Sequence, residues 1–182
     1  MPLPTSGPDP FAVTRIMRRV RSVRDFTDQA VPDAVLTDIL EAARWTGSGM
    51  NAQPWTLLVV RERATLQAVA DASPNAGHVR GAAVAIFLVM DGATPGIETF
   101  DEARVAERIL IAATAHHLAS AIGWVMSGAR PGVAGLLGVP PPRTVRTLVS
   151  LGYPTEAGAQ PKGRPGSPRK PLAEIVRWER FE

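Results

Sequence analysis

Hydrophobic positions recur along this chain at two periods, and the switches between them mark out its elements. Residues 1–10, MPLPTSGPDP, are rich in proline and read as a flexible N-terminal segment. Over residues 11–20, Phe11, Ile16 and Val20 fit a helix that turns Arg15, Arg18 and Arg19 to other faces. Pro32 stands where a first helical residue is favoured, and Val35, Leu36, Ile39, Leu40 and Ala43 then recur at helical spacing to about Trp45. TLLVV reads as a strand, residues 63–72 as a short helix, and AAVAIFLVM (82–90) as a central strand covered on both faces. Residues 91–100 read as a loop. The Ala-rich run from Glu102 to Ile122 is apolar nearly all round and reads as one buried helix. GWVMSGARPG (123–132) reads as a strand and turn, followed by a short helix that ends before VPPPR. VRTLVSLG (145–152) is a third strand. The remainder is an extended tail closed by a short helix, PLAEIVRW, with Pro171 near its start. The sum is an α+β chain with more helix than strand and no internal repeat.

Composition narrows the classes. At 182 residues and 45% hydrophobic, the chain fits one domain with a sizeable core. The 20 Lys+Arg exceed the 17 Asp+Glu by only three, too little to imply a nucleic-acid protein without a clustered patch. With no Cys there is no disulfide, thiolate metal site or cysteine nucleophile. No apolar run reaches the roughly 20 residues of a membrane span, and the N-terminus lacks a long apolar leader core. A soluble cytoplasmic protein is expected.

Three stretches could carry chemistry. In RRVRSVRDF (18–26), Arg21, Ser22 and Arg24 follow a helix, and guanidinium forks with a hydroxyl suit a phosphate monoester. The same residues could be the solvated basic face of the first helix. In TGSGMNAQPW (46–55), Asn51 and Gln53 each present a donor and an acceptor, which suits a planar heterocycle, while Ser48 and Gly49 would allow close backbone approach. The alternative is a plain helix-to-strand turn with Gly47 as stop signal. SPRK (167–170) offers a further cation or is only a charged tail. His78, His116 and His117 lie in no metal-ligand spacing, and neither a GxxxxGK[ST] phosphate loop nor a GxSxG elbow is present.

The order RSVRDF, SGMNAQPW, LGYP and RKPLAEIV resembles the nitroreductase family of flavin enzymes over essentially the whole chain, with Asn51, Gln53, Pro54 and Trp55 as the most specific piece. The resemblance implies a mixed or antiparallel sheet flanked by helices, formed by a single domain over 11–182 and built as an intertwined homodimer, with residues 155–182 reaching the partner subunit. It implies FMN at the interface. Arg21, Ser22 and Arg169 would clamp the phosphate, and Arg24 would lie near the N1 and O2 edge of the ring. Ser48, Asn51 and Gln53 would form a wall from the opposite subunit, and Ser127 and Gly128 would lie near the other edge. It further implies hydride transfer from NAD(P)H through FMN to a nitroaromatic, a quinone or a similar acceptor, by a ping-pong mechanism that needs no protein acid or base. A same-fold enzyme that fragments flavin or dehydrogenates a small molecule, an FMN-binding protein without turnover, and a basic scaffold for acidic partners are the competing readings. The chain departs from the family pattern at Val20, where an Arg is common, at Gly47, usually Pro, at His117 and Ala119, often Gly, and in a short 91–101 region.

Overall fold

A computed structural model describes residues 9–160 and 169–181. The elements are α1 (Pro10–Arg19), α2 (Asp33–Arg44), β1 (Trp55–Val60), α3 (Arg63–Ala72), β2 (Val84–Met90), α4 (Pro95–Ala115), β3 (Ala119–Trp124), α5 (Arg130–Leu136), β4 (Thr144–Gly152), α6 (Glu156–Ala159) and α7 (Leu172–Ile175). The four strands form one antiparallel sheet in the order β1-β2-β4-β3.

β2 is central, and each of its positions is buried. Alternate side chains of a strand point to opposite faces, so β2 serves two cores. Ile86 and Leu88 pack with Val149 and Leu151 against Leu36, Ile39 and Ala43 of α2 and Val105 and Ile109 of α4. Ala85 and Phe87 pack with Leu148 against Leu66 and Val69 of α3, Val79, and Val133 of α5. The continuous apolar run of β2 follows from having both faces covered. α1 has no buried residue among those whose burial is described, and Phe11, Val13 and Met17 are exposed on the single chain.

The long helix departs from the expected bounds. α4 begins at Pro95, inside the expected loop, because its start is satisfied locally. Pro95 occupies a first-turn position, and the buried Glu98 carboxylate accepts from the backbone N–H groups of Gly92 (3.1 Å) and Thr94 (2.9 Å). It ends at Ala115 rather than continuing to Ile122. His117 there takes a left-handed φ of 58°, and the Leu118 N–H donates to the Ala113 carbonyl. That geometry normally favours Gly, so the departure at His117 is met by a strained histidine. Ala119 to Trp124 is a strand, so the strand expected at the start of 123–132 lies too late. Residues 127–129 form a short 3-10 turn, followed by α5. Nor is α4 apolar all round. Its exposed stripe carries Ala103, Arg104, Glu107 and Arg108, and its buried face carries Glu98, Asp101 and Glu102.

Glu102 has a reason to be inside. Leu88 pairs with Thr147 and Val89 with Val145, so Arg146 is the extra residue of a β-bulge. A bulge re-aims side chains. Here Arg146 and Thr147 both turn to Glu102, which forms a 2.6 Å ion pair with Arg146 at 11% and 3% side-chain exposure. Burial nevertheless pushes the Glu102 carboxyl above its usual range, because desolvation outweighs the pull of Arg146. The expectations for residues 1–8 and 161–168 lie outside the described residues.

Candidate functional site

The first motif is placed by the end of the sheet. Ser22 bridges Ser120 of β3 in parallel, and the Val23 N–H donates to the Ser120 carbonyl at 2.9 Å. Phe26 bridges Pro154, and the Thr27 N–H donates to Tyr153 O at 2.8 Å. Gly152 explains why the RSVRDF and LGYP stretches belong together. A Cβ there would come within 2.9 Å of the Phe26 ring, so only glycine lets the segment lie flat on β4. This docking sets where Arg21 and Arg24 emerge.

Arg21 lines an open cleft of about 530 Å³ with Met17, Arg18, Val20, Glu107 and Arg169. Two of the predicted phosphate cations, Arg21 and Arg169, are therefore brought together across the sequence. Sequence reasoning missed Arg18 and Glu107. No local pattern singles out Arg18, because Arg21 lies past the end of α1 and an extended Val20, so helical spacing does not relate the two. Arg18, not Arg19, lines the cleft beside Val20. Arg21 Nη1 donates to the carbonyls of Arg18 and Val20, both at 2.7 Å, which holds the guanidinium at the C-terminal end of α1. Ser22 is exposed beside this cleft but does not line it.

Arg24 is exposed, does not line the cleft, and lies within electrostatic reach of His78. Burial first, and Arg24 second, hold His78 below the ordinary histidine value, against a backbone hydrogen bond with Ala121. The His78 Nε2 atom is buried without a partner among the described residues.

The amide-bearing stretch is a tight loop between α2 and β1. Met50, Asn51 and Gln53 all have positive φ (50°, 56° and 49°). Such backbone persists only where surrounding contacts over-determine it. Ser48 supplies several. Its carbonyl accepts from the Asn51 N–H at 3.1 Å, and its Oγ accepts from the Gln53 N–H at 2.8 Å. Gln53 Nε2 donates to Asn51 O at 3.2 Å, which leaves the Asn51 side chain exposed and without a described hydrogen bond. Met50 is fully exposed at the loop's tip.

Ser127 and Gly128 lie exposed in the turn between β3 and α5. A Cβ on Gly128, or on Gly49, would meet nothing within 4 Å. The chain's own packing therefore does not call for glycine at either place. The described contacts bring Arg21 and Arg169 together, and Ser48, Asn51 and Gln53 together; they do not join these groups to each other or to Ser127 and Gly128. Among the described residues no group of three or more His, Asp or Glu could hold a metal ion, and no helix is long and apolar enough to cross a membrane.

A sequence model described as "Nitroreductase family" matches residues 17–78. A Thermus thermophilus protein named NADH dehydrogenase is 31% identical over 92% of this chain and 95% of its own. A Methanothermobacter thermautotrophicus protein, provisionally named an NADH dehydrogenase/NAD(P)H nitroreductase, is 31% identical over 79% of this chain and 78% of its own. Among solved structures, a Desulfovibrio desulfuricans protein crystallised in complex with FMN superposes with a TM-score of 0.76, at 29% identity, over 97% of this chain and 100% of its own. With the α+β fold and near full-length relatives of this kind, the chain belongs to the nitroreductase family.

Proposed function

We propose that this oxidoreductase binds FMN without a covalent link and passes a hydride from NAD(P)H to a nitroaromatic, quinone or similar small acceptor, the two substrates taking turns in one site. The observation that carries the proposal is the cleft in which Arg18, Arg21 and Arg169 converge from two ends of the chain. Guanidinium groups bind phosphate through charge and paired donors. A cofactor that ends in a phosphate monoester matches such an open cleft. The flavin supplies the hydride chemistry.

The chain's residues have the remaining tasks. Arg18, Arg21 and Arg169 hold the phosphate, with Ser22 beside them. Asn51 and Gln53 present amides to the heterocycle from the loop that Ser48 braces. Arg24 sets a positive charge by the ring, where a fixed cation stabilises developing negative charge. Gly49 and Gly128, free of demands from their own chain, let backbone approach closely. No protein acid or base is assigned.

The reading includes a homodimer in the cytoplasm. Leu172, Ile175, Trp178 (83% exposed) and Phe181 (92% exposed) lie open on a single chain, as does Phe11 on α1. Large apolar side chains left open in this number call for a covering surface, and a second copy would bring its amide loop to the arginine cleft. Heat release followed by chromatography tests the cofactor. FMN near one per chain is expected, whereas FAD, or no flavin after reconstitution, would overturn the proposal.

A further inference from the structure

The amide loop is gripped from outside by two arginines of α4, one helical turn apart. Arg108 Nη1 donates to the Trp45 carbonyl at 2.9 Å. This carbonyl belongs to the residue that ends α2, where the helix dipole favours a cation. Arg104 lies over Gly47, two residues on. A Cβ on Gly47 would come within 3.0 Å of Arg104 Nη2, so the guanidinium fills the space that a side chain at 47 would take. Asp101, 6% exposed, anchors Arg104 from below at 3.5 Å. At its far end the same loop is fixed by the Asp91 N–H donating to the Pro54 carbonyl at 3.1 Å. Between these two clamps lie the left-handed residues Met50, Asn51 and Gln53.

From this we infer that Arg104 and Arg108 are positioning residues, which act through Trp45 and Gly47 to hold Asn51 and Gln53 in their strained, cofactor-facing geometry. The inference rests on the proposed FMN site for its purpose but not for its existence. Both arginines are exposed, so removing either opens no core cavity and spares the fold. The glycine at 47, where the family usually has proline, is then no loss of rigidity. The stiffness comes from α4, and glycine is what admits the guanidinium.

The test has two arms. In cofactor-free protein, amide hydrogen exchange is followed at Asn51, Ala52, Gln53 and Trp55, whose N–H groups bond within the loop. Arg104→Ala and Arg108→Ala should speed exchange there and nowhere in the sheet, with the melting temperature unchanged. In the second arm, FMN titrated by fluorescence quenching should bind about tenfold more weakly to Arg108→Ala, the low end for a charged hydrogen bond at an exposed position, and more weakly, though by less, to Arg104→Ala, which removes a guanidinium packed over Gly47 rather than a hydrogen bond. Arg108→Lys, which keeps a cationic donor, should recover most of the loss at 108. Gly47→Ala should displace the guanidinium and match Arg104→Ala, and the double variant should be no worse than either alone. Unchanged loop exchange overturns the inference. So does exchange or melting that shifts across the whole sheet, and so do additive losses at 47 and 104. A wild-type chain that takes up no FMN would sink the cofactor proposal, while the exchange arm would still decide whether the grip holds.

Discussion

Arg21 and Arg15 make a contrast between a ligand-facing arginine and an ordinary one. Arg15 pairs with Asp9 at 2.9 Å, both about half exposed, whereas Arg21 lines the cleft with Arg18 and Arg169. A charge-assisted hydrogen bond is worth roughly 1.5–3 kcal/mol, so Arg21→Ala is expected to weaken FMN binding by about ten- to a hundred-fold. Arg15→Ala should leave it within a factor of about two, as surface pairs contribute little. Equal losses in a fluorescence titration would mean a generic basic surface. His78 offers a second residue-scale check. Its pKa is depressed in the fold by burial and Arg24, so the unfolded chain takes up a proton first as pH falls. The His78 contribution is complete above the ordinary value of 6.5 and is lost as pH drops from there to the folded value. Urea midpoints measured from pH 8 to pH 5 should fall for the wild type and fall less for His78→Gln. The arginine and amide positions were legible because their chemistry is local to short stretches. The cleft membership of Arg18 and the clamps from Arg104 and Arg108 were not, because those roles depend on a helix packed from elsewhere in the chain.

Elements with a sharp period were read closely. α3 has the expected bounds, and α2 and β4 lie within a residue or two of theirs. Besides the one-turn α6, which Thr155 caps inside the expected extended tail, the failure lay in α4 and β3, for a physical reason. Ala and Ile in HHLASAI continue the apolar character of the helix, and a short apolar run does not distinguish helix from strand. What decides is pairing with β4, in which Ala119 to Trp124 meet Gly152 to Thr147, and no local pattern reveals that. The bulge at Arg146 was invisible for the same reason, and with it the buried pair to Glu102. Breaking a buried pair strands the other charge, so Glu102→Ala should lower the unfolding free energy by about 3–5 kcal/mol. Replacing both Glu102 and Arg146 with Met should cost far less, since the desolvation penalty disappears with the charges. Urea denaturation of the three chains reads both outcomes. A double variant as damaged as the single would mean that the bulge depends on the ion pair itself.

For the whole molecule, the claim is that two copies of this chain enclose FMN, with the phosphate held by the arginine cleft and the ring walled by the partner's amide loop. The exposed apolar side chains of α1 and of the C-terminal segment follow from that arrangement, as does the separation of the site residues within one chain. Deleting residues 161–182 removes Arg169 and the exposed Leu172, Ile175, Trp178 and Phe181 together, so flavin content and dimer mass should fall in parallel. Sedimentation velocity on the full-length protein, reconstituted with FMN and followed at both the protein and the flavin bands, is the most direct measurement. A single boundary at twice the chain mass that carries about one flavin per chain is expected; a colourless boundary, or a monomer that holds FMN tightly, would contradict the shared site.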